Sequence, residues 1–182
     1  YWLEKIAKIP IQYSNSSEFR YRHPVVENNT LIIPVSQSGE TADTLSASNL
    51  AKEMKLLQIA ITNSSNSELE RITKNSIMMR ANTEIGVAST KTFMATIEIL
   101  FILSLYFAQI HNIQNDKDLI FDQLKILPSK IDNIFKNSNQ IVNLAKLYSK
   151  YNNFLFLGRG QNYPIAMEGA LKLKELSYVH AE

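Results

Sequence analysis

The sequence predicts an α/β fold in which helices flank a parallel sheet, and three observations support this prediction. Short apolar runs typical of buried strands recur along the chain, and the strongest covers residues 31–36. Stretches with helical character, at about 43–56 and 67–74, separate these runs. Strands that alternate with helices at this spacing are typical of parallel sheets, since a crossover must return the chain to the same end of the sheet.

The elements are predicted in order from the N-terminus. Residues 1–8 resemble the end of a helix. Strands are expected at 10–14, 31–36, 58–63 and 76–80, and helices at 43–56, 67–74, 90–110, 118–136 and 138–150. Pro34 lies inside the strongest strand, where it predicts a bulge or an unpaired N–H. The apolar run at 154–157 indicates a further strand that leads into a glycine-containing turn.

The pattern of strand, turn and helix begins again after about residue 140, which suggests two related domains. We place the boundary near 137–141, where Asn137, Ser138 and Asn139 interrupt the pattern. Residues 1–137 are predicted to form a first domain that lacks its N-terminal start, and residues 138–182 the beginning of a second, truncated domain. Both ends look cut, so the chain is expected to be a fragment of a longer protein.

Composition excludes several classes of protein. The 182 residues are 45% hydrophobic and 20% charged, as in ordinary globular domains, and the net charge is only +2. The lysines are spread along the chain without a basic block, so neither nucleic acid nor a membrane surface is expected as a main partner. The absence of cysteine excludes disulfides and thiolate chemistry within these residues and fits a cytoplasmic protein.

One apolar stretch, at 93–110, approaches the length needed to cross a membrane. It contains the polar residues Thr96, Glu98, Ser104 and Gln109, and no basic flank sets an orientation. A buried helix or a subunit contact is therefore predicted rather than a membrane span.

The most informative segment is SQSGET, at residues 36–41, between the strongest strand and the next helix. Backbone N–H groups and the helix dipole attract an anion at such a turn. The side chains that add hydroxyl or amide donors are Ser36, Gln37, Ser38 and Thr41. The segment is a candidate phosphate site, and a ligand-free capping turn, with Asp43 or Thr44 as the cap, is the alternative. It is not the nucleotide P-loop, because no Gly-Lys-Ser/Thr follows.

The second candidate segment is the polar loop at 82–91, which precedes the long apolar helix. Ser89 or Thr90 is a natural N-cap for that helix, and a purely structural role is one interpretation. The other interpretation places Val87 and Ser89 beside a bound ligand at the carboxyl edge of the sheet, where α/β folds hold their ligands.

The third candidate segment, at 164–176, has helical character and carries charged residues on one face. Glu168, Lys172 and Glu175 are spaced i, i+4 and i+7, so they share that face. They form either a solvated salt-bridge stripe or an acid–base site, in which Glu175 transfers a proton and Lys172 sets its charge state. A carboxylate can move hydrogen between adjacent carbons of a sugar phosphate without a metal.

No cofactor or metal site is predicted. The Gly158-Arg159-Gly160 segment lacks the third glycine and the later acidic residue of a dinucleotide-binding motif. The three histidines lack the spacing of metal ligands.

Five segments together resemble the glucosamine-6-phosphate synthase family, the glutamine–fructose-6-phosphate amidotransferases. They are SEFRYR at 17–22, SQSGETADTL at 36–45, TEIGVASTK at 83–91, LGRG at 157–160 and EGALKLKELSYVHAE at 168–182. The resemblance runs along the whole chain in the family's order and spacing. SQSGET alone indicates only the broader sugar isomerase (SIS) family, and TEIGVASTK with EGALKLKE narrows the resemblance to the synthase.

The resemblance implies two SIS domains, each a three-layer αβα sandwich with a parallel sheet between helices. This chain would hold most of the first domain and the start of the second. It also implies roles for the site residues: the phosphate of fructose 6-phosphate bound by Ser36, Gln37, Ser38 and Thr41, the sugar lined by Val87 and Ser89, and isomerisation carried by the base Glu175 with Lys172 beside it.

The family's reaction adds ammonia from glutamine to fructose 6-phosphate through a Schiff base and isomerises the product to glucosamine 6-phosphate. The family's glutaminase domain, Schiff-base lysine and ring-opening histidine lie outside this chain, so the chain alone is expected to be inactive. The resemblance further implies a homodimer in which the partner subunit supplies that histidine.

Two other classes stay open. One is a non-catalytic SIS module that senses a sugar phosphate, but the presence of Glu175 and Lys172 favours an enzyme. The other is a different SIS enzyme, such as a deglycase acting on a phosphorylated sugar amine, and the TEIGVASTK segment counts against it.

Overall fold

The computed structural model describes residues 1–182. They form two compact units, one of residues Trp2–Tyr106 and one of Phe107–Glu182 together with Tyr1. The first unit contains a parallel sheet and packed helices, as the sequence predicts. The boundary predicted near 137–141 separates two related domains, which are not the same as these two compact units. That boundary stays a prediction.

Five short strands form the parallel pairs of the first unit. They are β1 (Leu31–Ile32), β2 (Val35–Ser36), β3 (Leu57–Gln58), β4 (Ala60–Thr62) and β5 (Ser76–Met78). Strand β1 pairs with β3, and β4 lies between β2 and β5. The strands predicted at 31–36, 58–63 and 76–80 are therefore confirmed. The strand predicted at 10–14 is wrong, because these residues pair with no other strand and an isolated strand is not stable in water.

Pro34 separates β1 from β2 without shifting the register of the sheet. Leu31 lies opposite Leu57 and Val35 opposite Ile61, four residues further along both strands. The Pro34 carbonyl still accepts a hydrogen bond from the Ile61 N–H at 2.9 Å, but proline has no N–H to donate in return. The predicted bulge is therefore absent. The strand is interrupted because Pro34 has no backbone N–H to donate to the neighbouring strand.

Helices surround these strands and provide the buried core of the first unit. They are α1 (Trp2–Ala7), α2 (Ser16–Arg22), α3 (Ala42–Glu53), α4 (Glu68–Thr73) and the start of α5 (Lys91–Ile110). Helix α3 packs against α2, α4 and β3. Ile61 of β4 and Leu69 of α4 are completely buried, and the small residues Ala47 and Ala51 allow α3 to approach closely.

Helix α5 meets the length and composition of a membrane-spanning helix, with 20 residues and a mean hydropathy of 1.9. This is weak evidence, since the core helix of a soluble protein meets the same criteria. Thr92, Ser104 and Leu105 are buried, whereas Met94 and Ile102 are exposed. The predicted burial is thus found for only part of the helix, and the alternative, a subunit contact, stays a prediction.

The second unit is mainly helical. Its elements after the end of α5 are α6 (Lys117–Lys125), α7 (Leu127–Lys136), α8 (Asn139–Tyr148), β6 (Asn153–Phe154), α9 (Asn162–Ser177) and β7 (His180–Ala181). The single helix predicted at 118–136 is divided, because Pro128 lies in the first turn of α7 and cannot donate the hydrogen bond that would continue α6. The strand predicted at 154–157 is shorter than expected, and β6 pairs in parallel with β7.

Candidate functional site

The SQSGET segment forms a tight loop, hereafter the hydroxyl loop (residues 36–41), between β2 and α3. The Ser36 Oγ lies 2.9 Å from the Thr41 Oγ1 and accepts a hydrogen bond from the Gly39 N–H at 3.1 Å. The Ser38 Oγ accepts from the Glu40 N–H, also at 3.1 Å. The hydroxyls that were predicted to gather at one turn are therefore held together by the loop's own hydrogen bonds.

Helix α3 begins at the end of this loop without a side-chain cap. Thr41 occupies the N-cap position, and its side chain accepts no hydrogen bond from the first turn. The prediction that Asp43 or Thr44 caps the helix is wrong, because both lie within the first turn itself. The N-terminus of a 12-residue helix is thus left uncapped next to the three hydroxyls, which favours an anion at this position.

Gly39 fixes the shape of the hydroxyl loop. Its φ angle is +68°, and a Cβ at this position would lie 2.3 Å from the Ser67 Oγ. The Gly39 carbonyl accepts from the Leu69 N–H at 3.0 Å, and the Glu40 carboxylate accepts from the Glu68 N–H at 2.8 Å. The first turn of α4 is therefore occupied by the loop, and only glycine fits where the two meet.

An ion pair compensates the negative charge beside this turn. Asp43 lies in the first turn of α3, where its carboxylate would repel a phosphate. The Arg20 Nη1 lies 2.9 Å from the Asp43 Oδ1, and both side chains are partly exposed. Sequence reasoning missed this role of Arg20, since the two residues are 23 positions apart.

Asn63 joins the hydroxyl loop to the second candidate segment. It follows β4, and its backbone N–H donates to the Gln37 carbonyl at 3.0 Å. Its side-chain amide donates to the Asn82 carbonyl at 2.7 Å and accepts from the Ala81 N–H at 2.9 Å. The loops that follow β2 and β5 are therefore held at the same carboxyl edge of the sheet. Asn63 was not predicted as a functional residue.

The part of the second segment that precedes α5 (residues 82–90) is hereafter called the sugar loop, after the role that the resemblance implies for it. It is closed by a carboxylate. The Glu84 Oε2 accepts from the Thr92 N–H at 3.1 Å and from the Thr92 hydroxyl at 2.7 Å. Glu84 thereby satisfies a free N–H in the first turn of α5. The Ser89 hydroxyl contacts the Thr92 hydroxyl, while Val87 projects into solvent and is 94% exposed.

The hydrogen bond from the Thr92 hydroxyl holds the pKa of Glu84 below its usual range, despite some opposing desolvation. The Thr92 and Thr90 N–H groups and the charge of Lys91 act in the same direction. Glu84 is therefore a carboxylate at neutral pH. Sequence reasoning missed it, although an acidic residue shortly before a long helix is a recognisable signal.

The third segment lies in the second unit, on α9. The Lys172 Nζ donates to the Glu175 Oε2 at 2.6 Å and lies 3.4 Å from the Glu168 Oε1. Burial lowers the pKa of Lys172, but the hydrogen bond to Glu175 and the charges of both carboxylates outweigh it and raise the pKa overall. The predicted shared face is therefore confirmed, with the lysine between the two carboxylates.

Two glycines bring α9 close to the segment that follows β6. A Cβ at Gly169 would lie 2.9 Å from the ring of Phe156, and one at Gly158 would lie 2.2 Å from the Asn162 carbonyl oxygen. These glycines belong to the LGRG and EGALK segments. The absence of a side chain at these glycines thus lets the backbone of α9 and the Phe156 ring approach each other closely beside Glu168.

No group of three or more His, Asp or Glu side chains converges in a way that could hold a metal ion. The groups that these segments present include hydroxyls, amides, a helix N-terminus and an ion-paired carboxylate.

Comparison with known proteins agrees with this arrangement. Residues 1–105 match the family described as SIS domain. The chain is 46% identical to the glutamine–fructose-6-phosphate aminotransferase (isomerizing) of Pectobacterium atrosepticum and 41% identical to that of Thermotoga maritima. Each match covers the whole of this chain but only 30% of the relative.

Solved structures share the fold. The C-terminal domain of glucosamine-fructose-6-phosphate aminotransferase from Francisella tularensis superposes with a TM-score of 0.94 at 41% identity. This match covers all of the chain and 52% of that domain. A glucosamine-6-phosphate deaminase structure from Thermotoga maritima has a TM-score of 0.84 at 23% identity, which shows the fold alone. The predicted three-layer SIS fold is thereby confirmed.

Proposed function

The chain belongs to the SIS domain family, and from this premise we propose that it is the sugar-phosphate-binding and isomerase part of a glutamine–fructose-6-phosphate aminotransferase. Such an enzyme converts fructose 6-phosphate and glutamine to glucosamine 6-phosphate and glutamate. One observation carries the proposal: Asn63 holds the hydroxyl loop and the sugar loop together at one edge of the sheet. Residues 1–137 would form a first SIS domain and residues 138–182 the beginning of a second.

The hydroxyl loop would bind the phosphate. Because the Ser38 oxygen accepts from the Glu40 N–H, its own proton is free to donate to a ligand oxygen. Ser36, Thr41 and the exposed amide of Gln37 would add donors around the uncapped start of α3. The ion pair of Arg20 with Asp43 supports this role, since it reduces the charge repulsion that a phosphate would meet.

The sugar loop would line the rest of the substrate through Val87 and Ser89. Ser89 is half-buried and hydrogen-bonded to Thr92, so its position is defined before a ligand arrives. Val87 is almost fully exposed and provides an apolar surface against which carbons of a sugar can rest.

Glu175 would act as the isomerase base. As a carboxylate it would remove a proton from carbon 1 of the ammonia adduct and return one to carbon 2. The carbon 1 hydroxyl loses its proton and the nitrogen gains one, so the C=N bond at carbon 2 becomes a C=O bond at carbon 1. The Lys172 ammonium, 2.6 Å away, donates to the Glu175 carboxyl group and holds it in place on the face of α9. We further propose that the longer enzyme carries a glutaminase domain, works as a homodimer in the cytoplasm and uses no cofactor.

Calorimetric titration with fructose 6-phosphate tests the proposal. We expect binding by the wild-type chain and an about 10- to 100-fold weaker affinity in Ser38→Ala, which removes a hydrogen bond to a charged group. Ser46→Ala is the matched control, because Ser46 lies on α3, the helix that follows the hydroxyl loop, and bonds only to the Ala42 carbonyl. Glucose 6-phosphate and NAD serve as ligand controls, and circular dichroism verifies folding.

Two results would contradict the proposal. One is a folded wild-type chain that does not bind fructose 6-phosphate. The other is equal affinity in the Ser38 and Ser46 variants. The isolated chain is also expected not to form glucosamine 6-phosphate, so sustained turnover by it would refute the assignment of catalytic groups outside these residues.

A further inference from the structure

Three side chains of the sugar loop and α5 form a chain of hydrogen bonds. The Thr92 Oγ1 lies 2.7 Å from the Glu84 Oε2, and it also contacts the Ser89 hydroxyl. Thr92 is buried, so water does not compete for its hydroxyl. Ser89 and Glu84, at the two ends of this series of hydrogen bonds, are both partly exposed.

The direction of these hydrogen bonds follows from counting protons. A carboxylate accepts but does not donate, so the single proton of the Thr92 hydroxyl is given to Glu84. The Thr92 oxygen can then only accept from Ser89. The single proton of the Ser89 hydroxyl is therefore turned inward, which leaves both lone pairs of its oxygen able to accept a hydrogen bond.

The ionisation of Glu84 supports this order. Its pKa is lowered first by the hydrogen bond from the Thr92 hydroxyl and then by neighbouring N–H groups and Lys91, against some desolvation. At neutral pH the carboxyl group thus carries no proton that could reverse the chain.

We propose that Ser89 is a hydrogen-bond acceptor that selects a sugar hydroxyl, and that Glu84 and Thr92 are positioning residues that set this polarity. The proposal rests on the proposed function and deepens it. Ser38 has the opposite polarity, since its oxygen accepts from the Glu40 N–H and its proton is free. Two serines of the same sheet edge are thereby matched to the two ends of a sugar phosphate, one donating to the phosphate and one accepting from a hydroxyl.

Neutron diffraction from deuterium-exchanged crystals of the chain tests the polarity directly. We expect the deuteron of Thr92 on the line to Glu84 and the deuteron of Ser89 on the line to Thr92. A Ser89 deuteron that points away from Thr92 would overturn the proposal. This result does not depend on any ligand, so it is separate from the test of the proposed function.

Ligand binding tests the selection. The probes are deoxyfluoro analogues of fructose 6-phosphate, each with one hydroxyl replaced by fluorine, which cannot donate. We expect one of these analogues to bind the wild type about tenfold more weakly than fructose 6-phosphate does, which corresponds to one lost hydrogen bond. The loss should vanish in Ser89→Ala, shrink to about twofold or less in Thr92→Val and persist in Thr92→Ser, which keeps the hydroxyl.

Each other outcome counts against the proposal. A wild type that loses no affinity with any analogue, or a loss that is unchanged in Thr92→Val, overturns the selection by Ser89. Equal behaviour of Thr92→Val and Thr92→Ser would mean that Thr92 acts only through packing. If the wild type binds no fructose 6-phosphate, the proposed function and the sugar selection both fail, while the deuteron positions still decide the polarity.

Discussion

The two compact units differ in how they hold the residues of the candidate site. The unit Trp2–Tyr106 closes a core around Ile61 and Leu69, which are fully buried. In the unit Phe107–Glu182 the helices α6, α7 and α8 contain no buried residue, and Phe135 is 68% exposed. The hydroxyl and sugar loops belong to the first unit and the Lys172–Glu175 pair to the second.

The two loops and the Lys172–Glu175 pair therefore depend on different levels of structure. The loops meet because Asn63 and the first turn of α4 hold them, and those elements are fixed by the buried core. The ion pair forms between positions three residues apart on one helix, so it needs only the register of α9. Mutations in the core should therefore affect the loops far more than the ion pair.

The largest expected effect comes from the core itself. Ile61→Ala should lower the free energy of unfolding of the first unit by about 2–5 kcal/mol, because it leaves a cavity beneath the sheet. Phe135→Ala, in the second unit, should change the free energy of unfolding of the first unit by no more than about 0.5 kcal/mol. Trp2 is the only tryptophan and belongs to the first unit, so its fluorescence during urea unfolding measures both. Equal effects would break the comparison between the units.

Gly39→Ala should have the next largest effect. It should lower the free energy of unfolding by about 2–4 kcal/mol, because of the positive φ and the clash with Ser67. Gly160→Ala is the matched control, since its φ is +61° but nothing lies within 4 Å of the added Cβ. It should cost only about 1 kcal/mol. Thermal unfolding measures both, and titration with fructose 6-phosphate should show lost binding in the Gly39 variant alone. A Gly39 variant as stable as the control would contradict the fit between the loop and α4.

Lys172→Met should have a smaller effect that appears only below strongly alkaline pH. A raised lysine pKa stabilises the folded state below the unfolded value, and this contribution is lost as the pH rises through the folded value. Because the pair is partly exposed, it is worth about 0.5–1 kcal/mol. Unfolding of wild type and variant should therefore converge above the usual lysine pKa of about 10.4. A difference that persists there would point to packing of the lysine stem instead.

Glu84→Gln should have the smallest effect on stability, and its pH dependence has the opposite sign. A lowered carboxyl pKa stabilises the folded state above the unfolded value of about 4.3, and this contribution is lost as the pH falls through the folded value. Wild type and variant should thus differ at pH 7 and converge in acid. Melting curves between pH 7 and pH 2 measure this, and a difference that grows in acid would exclude the carboxylate as the stabilising form.

Much of the fold could be predicted because it depends on local patterns. The apolar run at 31–36 and the helix at 90–110 are recognisable from composition and length, and the structure has both. Pro34 was recognised as an irregularity, but only the pairing with Ile61 distinguishes a missing donor from a bulge. Helix α2 was not predicted, and the expected strand at 10–14 has no partner.

For the candidate site, the sequence by itself identified the residues that we propose carry the chemistry. The hydroxyls of residues 36–41 and the spacing of Lys172 and Glu175 follow from short-range order, because a strand-to-helix turn and a helix face are set by neighbouring residues.

Only the tertiary structure decided which groups hold these residues in place. Arg20 pairs with Asp43 across 23 positions, and Asn63 reaches Asn82 across 19. Glu84 acts on Ser89 only through the Thr92 hydroxyl. Such contacts depend on packing that brings distant segments together, and the direction of each hydrogen bond depends on which donors that packing leaves free.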